Sequence, residues 1–258
     1  MQNLLPLVDG STTFVVHDVN NQALQTVSNR LNRLRVASAS GTGIATGNHG
    51  LKNAIWGQVF GHSADQDERD GVEGYESDTY GFAFGVDTKV QDKYVVGVSL
   101  SYAQSDVDAA SNSSVDIDSI QGNIYGSYDE NNWFVDGLIG VTVNNYESDR
   151  SVVVGSISET ASADFDGTQF TLKGETGYKT SLNNGLQVTP TLSLQYSLLS
   201  QDEYTETGSS AALTIDNEDI STFEAGIGVN VAYPIVDGRL TYTPEFRAKF
   251  LYDFIGDE

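Results

Sequence analysis

The sequence predicts an all-β chain, an antiparallel up-and-down transmembrane β-barrel preceded by an N-terminal α-helix. Three observations predict it. From Ile55 onward apolar and polar residues alternate with a period of two; short turns alternate with long connections; and charged residues occupy only one of the two faces of each alternating segment. The bulk composition points elsewhere. With 36 acidic and 13 basic residues, the 258-residue chain has a net charge of -23, and its mean hydropathy is -0.27, which at face value describes an acidic soluble protein. That charge excludes the basic footprint of a nucleic-acid binder. The absence of Cys excludes disulfides, a thiol nucleophile and Cys-ligated zinc. No apolar run is long enough for a membrane-spanning helix.

The first fifty residues differ from the rest. Met1 to Pro6 has no basic start, no apolar core and no small-residue cleavage site, so it is not a signal peptide. Asn20 to Arg35 reads as a helix, with Leu24, Val27, Leu31 and Leu34 forming one narrow apolar stripe and Asp18 placed to cap its start. Arg30, Arg33 and Arg35 crowd its last turns. A Ser/Thr/Gly-rich stretch, Ala37 to Gly50, reads as a linker.

Strand signals follow. Tyr80, Phe82, Phe84 and Val86 oppose Gly81, Ala83 and Gly85. Tyr94, Val96, Val98, Leu100 and Tyr102 oppose Gly97, Ser99, Ser101 and Ala103. Trp133, Val135, Ile139, Val141 and Val143 oppose Asp136, Gly140, Thr142 and Asn144. Phe170, Leu172 and Tyr178 oppose Lys173, Glu175 and Lys179. Leu192, Leu194, Tyr196 and Leu198 oppose Thr191, Ser193, Gln195 and Ser197. Phe223, Ile227, Val229, Val231 and Tyr233 oppose Glu224, Gly226, Gly228 and Asn230. Leu240, Tyr242, Phe246, Phe250 and Tyr252 oppose Thr243, Glu245, Arg247 and Lys249. With weaker segments at Ile55 to His62 and Ser119 to Tyr128, nine strands result.

A soluble barrel and an outer-membrane barrel share this alternation, with opposite faces apolar. The aromatics favour the membrane. Tyr94, Tyr102, Trp133, Tyr196, Tyr233, Tyr242 and Tyr252 stand near strand ends, as an interfacial girdle requires. The turns favour it too. Gln91-Asp92, Asp129 to Asn132, Asn183 to Gly185 and Val236 to Gly238 are short. His62 to Asp78, Ser105 to Asp118, Tyr146 to Gly167 and Ser200 to Ser221 read as long, acid-rich external loops. Asp136, Lys173, Glu175, Lys179, Glu224, Glu245, Arg247 and Lys249 all lie opposite the apolar row, so they face the lumen; a lipid-facing Arg or Lys at midplane would cost about 2–4 kcal/mol. An odd strand number leaves unpaired backbone in hydrocarbon. The chain therefore reads as incomplete, and neither end looks like a natural domain end.

These residues together resemble a known family, the C-terminal translocator domain of type V autotransporters. The resemblance rests on the order and spacing of several segments. They are Ser28 to Arg35, Ile55-Trp56-Gly57-Gln58, Gly74 to Gly81, Phe84-Gly85-Val86-Asp87, Val96 to Tyr102, Thr243-Pro244-Glu245-Phe246 and Tyr252-Asp253-Phe254. It implies a twelve-stranded barrel, a helix through the pore, export of an upstream passenger to the cell surface of a Gram-negative bacterium, and insertion by the barrel assembly machinery. The barrel would be a monomer surrounded by outer-membrane lipid, with no cofactor. On that reading residues 1–50 hold a passenger stub, the pore helix (about 19–35) and the linker, and residues 51–258 hold a barrel lacking its last three strands and terminal aromatic residue. The basic helix end is expected to pair with lumenal Glu175, Glu224, Glu245 and Asp136. A porin-like channel and a loop-mediated adhesin are the alternatives.

Little chemistry competes with this reading. Asn20-Asn21 resembles the site at which some autotransporters sever their passenger by Asn cyclisation, although Asn pairs at a helix start also serve as caps. His62 with Asp65 and Asp67 reads as a solvated rim. No Gly-x-Ser-x-Gly, Walker or His-Glu-x-x-His motif occurs, and no loop has EF-hand spacing, so no metal site is expected.

Overall fold

The structure, a computed structural model, describes residues 11–36, 53–67, 74–91, 93–109, 113–154, 157–182, 185–237 and 240–255. The expected passenger stub before Ser11 and the linker from Ala37 to Gly50 lie outside them, as do Asp92, Asn183, Asn184 and Gly238 in the short turns.

Among the described residues one helix, α1 (Ser11–Val36), precedes nine long strands. These are β1 (Asn53–Gln66), β2 (Tyr75–Val90), β3 (Tyr94–Ala109), β4 (Ser113–Glu130), β5 (Trp133–Val154), β6 (Ile157–Tyr178), β7 (Gln187–Gln201), β8 (Glu218–Ala232) and β9 (Glu245–Asp253). Each pairs antiparallel with the next, so sheet order equals chain order, and β1 and β9 are its two edges. Thr180–Ser181 adds a short continuation beside β7.

The helix begins nine residues before the expected Asn20. Asp18 is therefore mid-helix and caps nothing; its carboxylate pairs with His62 at 3.2 Å. The extra turns contain β-branched Val15, Val16 and Val19, weak helix formers. All three are buried in an apolar cluster with Val107, Val115, Ile117, Tyr146 and Phe165, and this packing overrides propensity. The expected strand from Leu240 to Tyr252 is split. Leu240–Tyr242 pairs with Ile235–Asp237 in a separate hairpin, and β9 starts only after Pro244, which has no N–H for a ladder.

The largest departure concerns the long external loops. β1 to β6 run on through most of the segments read as loops, up to Val154 and again from Ile157 in the longest case. Along the band between the short turns and Tyr102, apolar side chains such as Phe84, Val98, Leu100, Ile124, Ile139 and Leu172 face outward and are exposed. Serines, threonines, glutamines and asparagines of the same strands are buried inside. Above that band the phase inverts: Val107, Val115, Ile117, Tyr146, Ala163 and Phe165 point inward and acids point out. The inversion breaks the period of two, which is why the sequence reads there as loop. The hydrogen-bond ladder is indifferent to it.

The acids of the outer ends lie in direct register. Asp78 opposes Asp106, Asp106 opposes Asp116, Asp116 opposes Glu147 and Glu147 opposes Asp164. Like charges directly opposite one another are destabilising. Burial, then Asp106, Asp108, Asp149 and Asp118, hold the Asp116 carboxyl above its ordinary value. The folded state thus binds a proton more readily than the unfolded chain, and stability here falls as pH rises through the carboxylate range. Lowering pH from about 7 to about 5 should slow intrinsic-rate-corrected amide exchange in residues 113–118. Asp116→Asn should be slower-exchanging at the higher pH and show a weaker pH dependence.

Candidate functional site: a helix clamped to the inner wall

The helix lies against β1 to β5. Its N-terminal half sits among the inverted outer ends, and its C-terminal half reaches the short turns, so the helix points its N-terminal end to the side of the long strand extensions. Leu24, Val27 and Leu31 are buried against Trp56, Ala83, Tyr125 and Leu138, with Leu34 partly buried at the edge. Two glycines make this wall. A Cβ on Gly85 would stand 2.4 Å from the Trp56 ring, and one on Gly97 would stand 2.4 Å from the Tyr125 ring. Each flat ring lies across a neighbouring strand where only glycine leaves room.

Polar contacts fix the register. Arg30 Nε donates to Asp87 Oδ2 at 2.8 Å and its Nη2 donates to Oδ1 at 3.0 Å, a buried two-pronged pair. Tyr125 also donates to Asp87, at 3.2 Å, and in turn accepts from Trp56 Nε1 at 2.7 Å. One turn on, Arg35 donates to both oxygens of Asp136 at 2.7 and 2.8 Å, and its guanidinium lies 3.8 Å above the Phe134 ring. Asn32 Oδ1 accepts from Arg35 as well. Arg33, between them, has no ion pair among the described residues.

Of the acids named as partners for the arginines, only Asp136 takes one. Glu224 pairs with His17 at 3.3 Å, Glu175 with Lys249 at 2.6 Å and Glu245 with Arg247 at 2.5 Å. Arg247 also donates to Asn29 of the helix. Lys179 pairs with Asp129 at the short-turn rim, so it is a rim residue, while Lys173 sits on the inner face of β6 with no ion pair among the described residues. Asp87 and Trp56, which the sequence marked only as part of the family resemblance, and Tyr125, which it did not mark, complete the clamp. Asp87 follows Gly81, Ala83 and Gly85 on the inward parity of β2, which was the available signal. Below the clamp a polar cavity of about 260 Å³ opens between Asn32, Arg35, Lys179, Thr189, Asn230 and Arg247.

Asn20 is fully enclosed. Its Nδ2 donates to Thr171 Oγ1 at 3.2 Å, and its Oδ1 accepts from Gln121 at 2.5 Å and Thr142 at 3.2 Å. Asn21 accepts from Gln195 at 2.6 Å.

The aromatics form two outward rims. Tyr94 and Trp133, joined by Tyr128 and Tyr178 at ring separations of 5.0 Å, mark the short-turn side, with Tyr233 and Tyr242 exposed nearby. Tyr102, Tyr196 and Tyr252 mark the other side. There Tyr102 donates to Asp118 at 2.6 Å, where the outward face turns acidic.

A family profile described as "Autotransporter beta-domain" matches residues 55–258. The chain belongs to that family. It is an outer-membrane translocator β-domain, with its barrel in the outer membrane. It is 27% identical to "Outer membrane protein A" of Rickettsia conorii over 257 residues, covering 92% of this chain, and 29% identical to "Putative uncharacterized protein YaiT" of Escherichia coli over 220 residues, covering 83%. It spans only 13% and 22% of those relatives' lengths. Its fold matches the translocator domain of autotransporter NalP from Neisseria meningitidis with a TM-score of 0.80 at 20% identity, over 98% of this chain and 81% of that one. The β-domain of the Bordetella autotransporter BrkA matches with a TM-score of 0.64 at 14% identity, over 79% of this chain and 81% of that one.

Removing one partner of the Arg30–Asp87 pair leaves a buried charge uncompensated. Arg30→Gln or Asp87→Asn should each cost about 3–5 kcal/mol in urea unfolding of the refolded barrel. The double substitution should cost clearly less than the sum. Arg33→Gln should stay within about 0.5 kcal/mol of the parent. Gly97→Ala should cost about 1–3 kcal/mol, because the Tyr125 ring must move.

Proposed function

We propose that this β-domain carries an N-terminal passenger to the cell surface and then anchors it, with α1 as the passenger's last segment left in the pore. The direction of the helix carries the reading. Its N-terminal half is packed among the outer extensions and its C-terminal half is clamped at the short-turn end, so α1 points its N-terminal end towards the outside, the direction an exported passenger requires. The division into a passenger stub, pore helix and linker over residues 1–50 and a barrel over residues 51–258 follows from that role. Further strands of the same polypeptide would close the sheet between β9 and β1, because open strand edges are not tolerated in hydrocarbon. The outward apolar band meets lipid, the barrel acts as a monomer, and its insertion relies on the barrel assembly machinery.

The clamp makes Arg30 and Arg35 the residues that retain the helix, with Lys173, Glu175, Glu224, Arg247 and Lys249 lining the opposite wall. A wall of mixed sign beside an anchored helix suits a plugged pore better than an open porin. Asn20 acts as a mid-pore anchor: its partners are amides and hydroxyls, and no carboxylate among its hydrogen-bond partners is placed to assist cyclisation. The Asn20–Asn21 peptide therefore stays intact.

Deleting residues 11–36 from the native polypeptide should abolish passenger removal by external protease on whole cells; export undiminished by the deletion would overturn the proposal. In planar bilayers the closed barrel bearing Arg30→Gln and Arg35→Gln should conduct several-fold more than the parent, and equal conductance would show that the pairs do not hold the plug. Intact-mass measurement after long incubation should find one unbroken chain.

A further inference from the structure

The segment from Asp202 to Asn217, between β7 and β8, does not spread outward as a surface loop. It doubles back as a small hairpin in which Tyr204–Thr205 pairs with Thr214–Ile215. It is stitched to β6 by reciprocal backbone hydrogen bonds between Ser162 and Thr207, at 2.9 and 2.8 Å, and by Asp202 N–H donating to Asp166 at 2.9 Å. Tyr204 inserts on the inner side. Its ring stacks on Phe165 with centroids 4.1 Å apart, and Phe165 stacks on Tyr146 at 4.6 Å. Both of those rings point into the mouth, where Val15, Val16 and Val19 of the helix share the same buried cluster.

A buried ion pair fastens this hairpin. Arg150, on the inward face of β5, donates from Nε to Glu206 Oε1 at 2.8 Å and from Nη2 to Oε2 at 2.5 Å, and it also donates to the Ala211 carbonyl at 3.0 Å. Glu206 accepts in addition from the Leu213 N–H at 2.9 Å. Both side chains are almost inaccessible, at 2% and 4% exposure, in a part of the chain that otherwise faces solvent. Burial alone would raise the Glu206 carboxyl, but the hydrogen bonds from Arg150 and Leu213 and the charge of Arg150 hold it below its ordinary value. On the far side Glu159 gathers Ser209 and Ser210, with the Ser210 N–H at 2.6 Å. A surface loop kept only for solvation has no use for a desolvated guanidinium, three stacked rings and a strand bridge.

We infer that residues 202–217 form a lid folded into the external mouth, latched by Arg150–Glu206 and closed over the N-terminal half of the pore helix. With the latch made, the helix cannot move outward without unstacking Tyr204. With the latch broken, the lid swings on its ends at Gln201 and Glu218, and the cluster beneath it opens to water.

The chain has no Cys, so a single introduced thiol reports the lid. Ala163→Cys places it under Tyr204 on the inward face of β6, and Asp164→Cys places a control on the outward face. In the full-length, membrane-inserted protein, Ala163→Cys should react with a bulky maleimide far more slowly than Asp164→Cys. Adding Arg150→Gln should speed the Ala163→Cys reaction at least about tenfold, since an unpaired buried charge opens the site. The reversed pair Arg150→Glu with Glu206→Arg should restore slow labelling. Tyr204→Ala, which leaves the ion pair in place, should also speed it and serves if Arg150→Gln fails to fold, as judged by heat-shifted electrophoretic mobility. The lid is overturned if Ala163→Cys already labels as fast as Asp164→Cys, or if the folded variants leave its rate unchanged. The inference takes its outward direction from the proposed function. If Asp164→Cys labels only after cells are broken, that direction is wrong, and the same rate comparison in extracted protein still decides the lid.

Discussion

A lipid bilayer accepts neither an unpaired peptide group nor a polar side chain on its hydrocarbon face, and every other feature of this molecule follows from that demand. The strands satisfy the first part by pairing each with its chain neighbour over long registers. They satisfy the second by turning apolar residues outward, which leaves the inner surface to Ser, Thr, Asn, Gln and charged groups. A polar interior cannot be held together by hydrophobic contact alone. The lower half of the helix is accordingly secured by hydrogen bonds and ion pairs, with apolar contact there where Trp56, Ala83, Tyr125 and Leu138 interrupt the polar wall. Once the strands leave the lipid the demand disappears, the phase of the alternation inverts, and the upper barrel packs like a soluble one.

The two attachments of the helix do different work. The apolar contacts at Leu24, Val27 and Leu31 supply burial but tolerate sliding, since hydrophobic surface is non-directional. The Arg30 and Arg35 forks tolerate none. A shift by one turn, about 5.4 Å, would remove both guanidinium groups from their carboxylates and leave four charges desolvated. Buried ion pairs add little net stability compared with well-packed apolar residues, but they discriminate strongly between alternative registers, and register is what a segment held inside a tube needs.

Much of this was legible in the sequence. The lower halves of the strands, the two faces and the aromatic rims follow from the period of two, and the stripe from Leu24 to Leu34 from the period of the helix. The hidden parts share a physical cause. The first turns of α1 are held by Val15, Val16 and Val19 against strands more than eighty residues away, and no local propensity reports that. The outer halves of β3 to β6 keep their backbone ladder while exchanging the polarity of their faces, so a test based on side-chain alternation sees a break where the backbone has none. Arg30 and Arg35 stood out because basic residues are scarce. Of their partners Asp136 was named, by its place opposite the apolar row, but Asp87 was not, because acids are plentiful: nothing local separates it from the other carboxylates except its inward parity on β2. The Arg150–Glu206 pair was equally invisible, since it joins two segments that both read as loop.

The row of acids that crosses β2 to β6 also governs how such molecules meet. It girdles the wall just beyond the lipid with charge of one sign, and at physiological salt its field reaches about 8 Å before counterions mask it. Two copies diffusing in the same leaflet therefore present matching negative flanks at the height where their walls would first touch. Crowding in the membrane plane would be resisted by a soft electrostatic bumper.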